Sequence, residues 1–227
     1  MVNCLHPSSR KAIKLLAWGF LLLLSGTAYS YGALFDTRVD YAVGASPQSV
    51  FSIDLDGDGY NDLATANSTS YNVSVLLNNG DGTFQSAVNY AVGGDPSSVF
   101  SIDLDGDGDN DLATANSYSN NVSVLLNNGD GTFGSAVNYA AGSYPCSVFS
   151  IDLDGDGDND LATANQGSDN VSILLNNGDG TFQSAVQYAA YDNPYSVFST
   201  ELDGYGDNDL STANAGHYQV SVLPNHA

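Results

Sequence analysis

The sequence predicts an all-β chain built from four copies of one unit, and three observations support this. An acidic stretch, IDLDGDGDND, stands at 102–111 and returns unchanged at 151–160, with looser copies at 53–62 and 200–209. The first acids of the four copies are 49 residues apart: Asp54, Asp103, Asp152 and Glu201. Short runs rich in Val, Ile, Phe and Tyr alternate with turn residues. A fixed period of this length is typical of repeat architectures.

The first thirty residues precede the repeats and predict an export signal. A basic start leads into a short apolar run at 15–24, and small residues follow it. The basic residues are Arg10, Lys11 and Lys14, and the small residues are Ala28 and Ser30. The apolar run is shorter than the roughly 18 residues that a membrane-spanning helix needs, which favours a cleaved signal over an uncleaved anchor. We therefore expect a signal peptide at 1–30, a repeat domain at 31–227, and a secreted or cell-surface location.

Removal of the leader would leave a strongly acidic chain. Arg38 is then the only lysine or arginine against 26 acids, a net charge of about −25. Such a charge excludes nucleic acid and anionic membranes as partners, because little could neutralise their phosphates. Cys146 would be the only cysteine, so no intrachain disulfide can form. An exported domain without disulfides needs another source of stability.

Each 49-residue unit contains four predicted strands. In the first unit they lie in SVFSIDL, DLATANS, NVSVLLNN and FQSAVNYAV, in that order. The NNGDGTF segment after the third strand predicts a tight hairpin, because Asn-Gly and Asp-Gly accept positive φ. Four strands in a unit of about 50 residues are typical of a β-propeller blade. The predicted fold is therefore a β-propeller of four-stranded antiparallel blades.

The amino-terminal part of the repeat domain predicts how the ring closes. ALFDTRVDYAVG at 33–44 aligns with the fourth-strand segment GTFQSAVNYAVG at 82–93, whereas the last unit stops after its third strand. Pairing this N-terminal strand with the last unit would complete that blade and remove exposed strand edges. Closure within one chain gives four blades. The same pairing between two chains gives an eight-bladed, strand-swapped homodimer, and the sequence leaves both open.

The acidic stretches have the form DxDxDGxxDL and predict metal sites. Each offers up to four carboxylates and one backbone carbonyl, which suits calcium with its six to eight oxygen ligands. Magnesium tolerates such irregular geometry poorly, and no Cys or His is present in the loops to favour zinc. The candidate ligands are Asp54, Asp56, Asp58, Tyr60 and Asp62; Asp103, Asp105, Asp107, Asp109 and Asp111; Asp152, Asp154, Asp156, Asp158 and Asp160; and Glu201, Asp203, Asp207 and Asp209. Tyr60, Asp109 and Asp158 would contribute their carbonyls.

These loops are not EF-hands, although an EF-hand loop begins in the same way, because the twelfth position holds Thr65 where a bidentate Glu belongs and the flanks are strands. A nine-residue hairpin loop is the better description. The alternative that stays open is a solvated acidic turn without an ion. The fourth loop departs from the DxDxDGxxDL pattern, because Glu201 replaces the first Asp and Tyr205 replaces the third Asp. We expect a weak or empty site there.

The acidic loops, followed by VSVLLNNGDGTF or VSILLNNGDGTF, resemble the FG-GAP repeats of the VCBS type, relatives of the calcium-bearing blades of integrin α subunits. The resemblance implies that each acidic loop joins two strands of one blade and holds calcium. That family usually closes about seven blades, within the known range of propellers, so four units are a departure.

The two ends of such a blade differ in how strictly the units repeat. The acidic loops and NNGDG turns share one end and are nearly identical, whereas the second-to-third and fourth-to-first connections share the other end and vary. We expect a ligand at the variable end, where tyrosine offers a large contact area with a polar tip. The candidate ligand-binding residues are Tyr71, Tyr118, Tyr144, Tyr191, Tyr195 and Tyr218.

The leading functional hypothesis is an adhesion or recognition module for an extracellular protein or glycan. The alternative is a calcium-stabilised structural or assembly protein without a discrete ligand. A calcium-dependent lyase or hydrolase has less support, because His217 and His226 are the only histidines after the leader and no nucleophile pair is evident. We therefore expect no enzymatic activity.

Overall fold

A computed structural model describes residues 38–226, which contain fifteen β-strands. The predicted signal peptide at 1–30 lies outside the described residues. Internal contacts divide the chain into a part at Met1–Val39 and a part at Asp40–Ala227, and the fifteen described strands belong to the second part. Between residues 38 and 226 there is no helix that could cross a membrane.

The strands form four antiparallel sheets, one for each repeat unit. Unit 1 comprises β1 Pro47–Ile53, β2 Asp62–Asn67, β3 Asn72–Leu76 and β4 Val88–Ala91. Unit 2 comprises β5 Pro96–Ile102, β6 Asp111–Asn116, β7 Asn121–Leu125 and β8 Val137–Ala140. Unit 3 comprises β9 Pro145–Ile151, β10 Asp160–Asn165, β11 Asn170–Leu174 and β12 Val186–Ala189. Unit 4 comprises β13 Pro194–Thr200, β14 Asp209–Asn214 and β15 Gln219–Leu223. The predicted four-stranded antiparallel unit is thus confirmed for units 1 to 3.

A buried polar corner fixes the turn between the second and third strands. The side-chain amide of Asn67 donates to Ser74 Oγ at 2.8 Å and to Asn72 Oδ1 at 2.9 Å. Units 2 and 3 repeat both bonds. Because no buried side-chain nitrogen or oxygen among the described residues lacks a partner, these polar groups are buried without an unpaired donor or acceptor.

The tight hairpin predicted after the third strand is confirmed. Asn78 and Phe84 form an isolated bridge, and Asn79 N donates to Thr83 O at 2.8 Å. Gly80 and Gly82 have φ values of 80° and 83°, which glycine adopts without steric cost. The regular fourth strand begins only at Val88 and is therefore shorter than the predicted segment.

The hydrophobic core lies between adjacent units. Val73 and Val75 of unit 1 pack in one cluster with Val99, Leu112 and Phe133 of unit 2. The equivalent clusters join units 2 and 3 and units 3 and 4. Along the first strands, Phe51, Phe100, Phe149 and Phe198 contact one another in turn, with ring centroids 4.8–5.0 Å apart. The repeated face-to-face packing of sheets is propeller-like.

Closure of the ring stays a prediction. The first strands pack in the order β1, β5, β9 and β13, and the described residues show no comparable packing of β1 on β13. The sheet of unit 4 has three strands, and residues 38–43 of the predicted closing strand form no strand. The beginning of that segment, 33–37, lies outside the described residues.

Candidate metal centres and the variable face

Each acidic loop joins the first and second strands of a unit and folds around its own carboxylates. Asp54 accepts from Gly57 N at 2.8 Å through Oδ1 and from Gly59 N at 2.9 Å through Oδ2. Both glycines have positive φ, 73° and 89°, which lets the backbone amides point inward. Units 2 and 3 repeat the arrangement around Asp103 and Asp152. Each carboxylate oxygen retains a second lone pair that could bind a cation.

The last aspartate of each loop is buried at the start of the second strand. In unit 2, Asp111 accepts from Leu104 N at 2.8 Å and from Asn127 N at 2.7 Å. Burial raises the pKa of Asp111 and of Asp160 to about 6, although the backbone amides lower it. Asp209 differs, because its bond from Asn225 N is the main cause of a lowered pKa.

Three carboxylates of each loop converge closely enough to bind one ion, with ligand oxygens that all lie within 4.8 Å of one another. These groups are Asp54, Asp56 and Asp58; Asp103, Asp105 and Asp111; Asp152, Asp154 and Asp160; and Glu201, Asp203 and Asp209. Calcium binds oxygen at about 2.3–2.6 Å, so two opposite ligands lie about 4.6–5.2 Å apart. Only hard oxygen donors are present, so the donor set suits calcium.

Not every predicted ligand belongs to these groups. Asp62, Asp107, Asp156 and Asp207 lie outside the triads of their loops. The residue predicted to supply a carbonyl, Tyr60 in unit 1, donates its backbone N–H to Asp58 Oδ1 at 2.8 Å. The Tyr60 ring covers Gly80 of the NNGDG turn, where a Cβ would lie 2.9 Å from the ring. The carboxylates of Asp109 and Asp158 stand over Gly129 and Gly178 in the same way.

Sequence reasoning missed a set of asparagines that bond the acidic loops of units 1 to 3 to the next unit. Asn110 of unit 2 donates through Nδ2 to Asp54 O of unit 1 at 2.9 Å, and Asn127 donates to Leu55 O at 2.8 Å. Equivalent bonds join units 2 and 3 and units 3 and 4, donated by Asn159, Asn176, Asn208 and Asn225. The 49-residue recurrence of these asparagines was the available signal. The acidic loops of units 1 to 3 are therefore each fixed partly by the next unit along the chain.

The connections at the opposite end combine a repeated backbone with varied side chains. Between residues 38 and 226, eight non-glycine residues have positive φ, and they recur in two series: Ser46, Asp95, Tyr144 and Asn193; Tyr71, Asn120, Asp169 and Tyr218. The six tyrosines predicted to bind a ligand are all exposed. Three of them stand at positive φ, which is unusual for a bulky residue.

Unit 4 has the most altered variable end. Gly44 of unit 1 lies so close to Ser70 and Asn72 that a Cβ would meet them at 2.4 and 2.5 Å. The equivalent residues 147 positions later are Tyr191, His217 and Gln219. His217 Nε2 lies 2.7 Å from Asp192 Oδ2, and the His217 ring meets the edge of Tyr191 at 5.2 Å between centroids. Exposed Tyr191 and His217 thus replace the glycine and serine of unit 1, whereas the bond from Asn214 Nδ2 to Ser221 Oγ is retained at 2.8 Å.

Two clefts of similar composition lie between neighbouring units. The fourth strand of unit 1 and residues 133–138 of unit 2 enclose about 460 Å³, and Tyr90 and Phe133 line this cleft. The corresponding cleft between units 2 and 3 encloses about 330 Å³ and includes Tyr139 and Phe182. Both combine aromatic rings with exposed polar side chains.

The comparisons with known proteins agree with this architecture. A family model described as FG-GAP-like repeat matches three overlapping segments, 54–114, 103–163 and 152–212. The chain belongs to the FG-GAP-like repeat family. The predicted resemblance is therefore confirmed, and each matched segment begins at the first acid of one loop. No curated protein sequence matches the chain.

Solved structures similar to this FG-GAP-like repeat chain include a lectin from Agrocybe aegerita, described by its specific recognition of non-reducing terminal N-acetylglucosamine. The two share 26% identity with a TM-score of 0.50, over 78% of this chain and 52% of the lectin chain. A structure of BBS1N in complex with ARL6DN gives a TM-score of 0.56 at 14% identity, over 82% of this chain and 59% of the other. The chain thus spans about half the length of these proteins.

Proposed function

We propose that this FG-GAP-like repeat chain is an exported, calcium-stabilised recognition module that binds an extracellular glycan or protein. One observation carries the proposal, namely the contrast between the two ends of the units. One end repeats its acidic loops nearly unchanged. The other keeps its backbone but varies its exposed side chains, which is the arrangement expected where specificity is needed.

Calcium is the proposed ion because the loops offer only oxygen ligands and few cationic side chains are available to neutralise them. Three carboxylates converge in each loop, no lysine or arginine follows Arg38, and buried Asp111 and Asp160 have raised pKa values. A divalent cation would offset the repulsion between these carboxylates. Extracellular calcium modules bind at roughly 10⁻⁴ to 10⁻³ M. The ion would therefore stabilise the fold, and the loops would position the units rather than contact the ligand.

The proposed ligand face is the variable end, and the altered end of unit 4 is its strongest location. Tyr191, Tyr195, Tyr218 and His217 are exposed there, with Asp192 beside His217. Aromatic rings beside polar groups can stack on a sugar face and bond its hydroxyls, or anchor a protein surface. The similarity to a lectin chain at 26% identity makes glycans the first ligand class to test.

The test is binding of residues 31–227 to arrayed glycans, including terminal N-acetylglucosamine, and to matrix proteins. Each array is run in calcium and in calcium-free buffer, with circular dichroism on the same samples. Tyr218→Asn and Tyr144→Asn are informative variants because asparagine occupies equivalent positive-φ positions, at Asn120 and Asn193. The ring is removed there without a new backbone penalty.

The proposal predicts saturable binding to one ligand class, lost without calcium and weakened at least tenfold by a tyrosine variant. Binding that no variable-end variant weakens would place the ligand elsewhere, with the two inter-unit clefts as the next location. Folded protein that binds nothing in calcium would contradict the recognition function.

A structural or assembly role is the second candidate, and one observation favours it. Apolar side chains such as Val50 and Val220 are exposed at the two ends of the series of units. Contiguous exposed apolar surface commonly marks an interface between proteins.

A further inference from the structure

The acidic loops of neighbouring units are joined to one another through one asparagine at each junction. Asn110 lies in the loop of unit 2 and donates through Nδ2 to Asp54 O in the loop of unit 1, at 2.9 Å. Asp54 belongs to the triad of unit 1, and Asp111, which directly follows Asn110, belongs to the triad of unit 2. One side chain therefore connects a candidate ligand of one loop with a candidate ligand of the next.

The same connection recurs at the two later junctions. Asn159 Nδ2 donates to Asp103 O at 2.9 Å, and Asn208 Nδ2 donates to Asp152 O at 2.8 Å. Each acceptor is the first aspartate of its triad, and each donor directly precedes the last aspartate of the next triad. The four triads thus form one hydrogen-bonded series along the chain.

A second asparagine of each later unit contacts both loops at once. Asn127 is buried, and its Nδ2 donates to Leu55 O of unit 1 at 2.8 Å and to Asn110 O of unit 2 at 2.9 Å. Its backbone N–H donates to Asp111 Oδ1 at 2.7 Å. Asn176 of unit 3 makes the three equivalent bonds at 2.7–2.9 Å. The position of Asp111 is therefore tied to the backbone of the preceding loop.

The turn after the third strand also approaches the preceding loop. Gly131 of unit 2 lies so close to unit 1 that a Cβ there would meet Asp56 Cβ at 3.2 Å and the Leu77 side chain at 2.7 Å. Gly180 of unit 3 approaches Asp105 in the same way, at 3.1 Å. Asp56 and Asp105 are the second members of their triads. The next unit therefore contacts the first two aspartates of the triads of units 1 and 2.

We propose that Asn110 and Asn159 are positioning residues that make calcium binding by the loops of units 1 to 3 cooperative. This inference rests on the proposed calcium binding by these loops. Asp111, when it ligates calcium, is held in one position, and the adjacent Asn110 then holds the backbone of Asp54 in the preceding loop. Binding by one loop therefore favours binding by its neighbour, and linkage makes the effect equal in both directions.

Repulsion between ions in neighbouring loops would oppose this cooperativity. In units 1 to 3 the loop carboxylates other than the last aspartate are half-buried or exposed, so salt screens the charges that they hold. The screening length is about 8 Å at 0.15 M ionic strength. The bonds from Asn127 are short, direct and buried, and salt does not screen them in this way. We therefore expect the hydrogen-bonded contacts to determine the sign of the coupling at this salt concentration.

The test is a calcium titration of the full chain in 0.15 M salt, followed by NMR through three backbone amides. Gly59, Gly108 and Gly157 each donate to the first aspartate of their own loop, so their signals report the loops of units 1, 2 and 3 separately. Asp105→Asn weakens calcium binding by the loop of unit 2 with little change of side-chain size. The calcium affinity of the loop of unit 1 is then read at Gly59.

Asn110→Ala removes the connection between the loops of units 1 and 2 and leaves the connection through Asn159 in place. Asn128→Ala is the matched control, because Asn128 lies in the same unit but donates through Nδ2 to Thr132 Oγ1 of its own turn, at 2.9 Å. Circular dichroism at saturating calcium confirms that every variant is folded.

Asp105→Asn should raise the calcium dissociation constant read at Gly59 at least fivefold in the wild-type chain and in Asn128→Ala, the lower end of typical coupling between sites. In Asn110→Ala the same substitution should change that constant less than twofold. The constant read at Gly157 should still rise at least fivefold in Asn110→Ala, because Asn159 continues to connect the loops of units 2 and 3.

Two results at Gly59 would overturn the proposal: a constant that Asp105→Asn leaves unchanged in the wild-type chain, or one that it raises equally in Asn110→Ala. A lowered constant would also overturn it, and would show that repulsion between neighbouring ions prevails. If none of the three glycine signals responds to calcium in the wild-type chain, the proposed calcium binding itself fails, and the cooperativity fails with it.

Discussion

Units 3 and 4 share one sequence pattern and one set of strand boundaries, yet only unit 3 is complete. Leu153 and Val171 of unit 3 are buried, whereas the equivalent Leu202 and Val220 of unit 4 are exposed. The residue types are the same, so the difference comes from whether a later unit covers these side chains. Unit 4 covers unit 3, and no described residue covers unit 4. A unit in this chain therefore completes its core only with the next one, as in other repeat proteins.

The acidic loops show the same dependence. The loop of unit 3 is fixed by Asn208 and Asn225 of unit 4, which donate to Asp152 O and Leu153 O. The loop of unit 4 has no such donors among the described residues, and Glu201 and Tyr205 also alter its ligands. The triad of the fourth loop converges like the others, and the weaker cation binding expected there from Glu201 and Tyr205 stays a prediction.

The largest expected effect separates a covered leucine from an uncovered one. Leu104→Ala should cost about 2–5 kcal/mol of unfolding free energy, because it removes a buried side chain between two units. Leu202→Ala should cost under about 0.5 kcal/mol, because half of the Leu202 side chain is already exposed. Urea unfolding in calcium measures both. Equal losses of unfolding free energy would show that the Leu202 side chain is packed as tightly as that of Leu104.

The second-largest effect tests whether the residues at positions 201 and 205 limit calcium binding by the fourth loop. Glu201→Asp with Tyr205→Asp restores the pattern of the other loops and should add one calcium ion. At ten times the dissociation constant one more ion stabilises by about 1.4 kcal/mol. Calorimetric titration gives the ion count, and Glu201→Asp with Tyr205→Asn is the control that adds no carboxylate at position 205. An unchanged count would mean that the ligand set does not limit calcium binding by this loop.

A smaller effect concerns pH in calcium-free buffer. The pKa of Asp111 and Asp160 is about 6 in the fold against an ordinary 3.8, so the folded state holds more protons than the unfolded state between these values. Their contribution to stability therefore falls as pH rises from about 4 to 6. Asp209 has a lowered pKa and therefore the opposite effect: its contribution to the unfolding free energy falls as pH falls.

Asp111→Asn should accordingly flatten the fall in unfolding free energy between pH 4.5 and 6.5, and Asp209→Asn should leave that fall in place. Calcium should reverse the trend, because it binds only ionised carboxylates. A slope unaffected by Asp111→Asn would show that this carboxyl is not the group whose protonation the fold favours.

The smallest effect compares two equivalent backbone positions. Tyr144 has φ 54°, and its equivalent before unit 4 is Asn193, also at φ 54°. Asparagine tolerates this region better than tyrosine, so Tyr144→Asn should stabilise by up to about 1 kcal/mol. Thermal unfolding measures it against Tyr195→Asn, which is at no such position. Destabilisation at Tyr144 would mean that the exposed ring packs within the fold.

Much of this arrangement could be predicted from the sequence, because the determinants are local. Alternating apolar residues, the NNGDG turns and the aspartates of each loop all act within one unit. The asparagine bonds across units and the exposure of Val220 depend on the neighbouring unit, and the raised pKa of Asp111 depends on its burial in the folded unit, so none of them could be predicted in the same way. The length of the fourth strand also depends on the neighbouring unit. In unit 2, Phe133 packs in the core shared with unit 1, and the regular strand β8 begins only after it, at Val137.

The most direct test of the central claim is the unfolding free energy of residues 31–227 with and without calcium. If three loops bind calcium as proposed, a concentration ten times the dissociation constant should stabilise the fold by about 4 kcal/mol. Substituting Asp105 and Asp154 with Asn should remove most of that gain. Identical unfolding in calcium and in calcium-free buffer would contradict the claim that calcium in the acidic loops stabilises this fold.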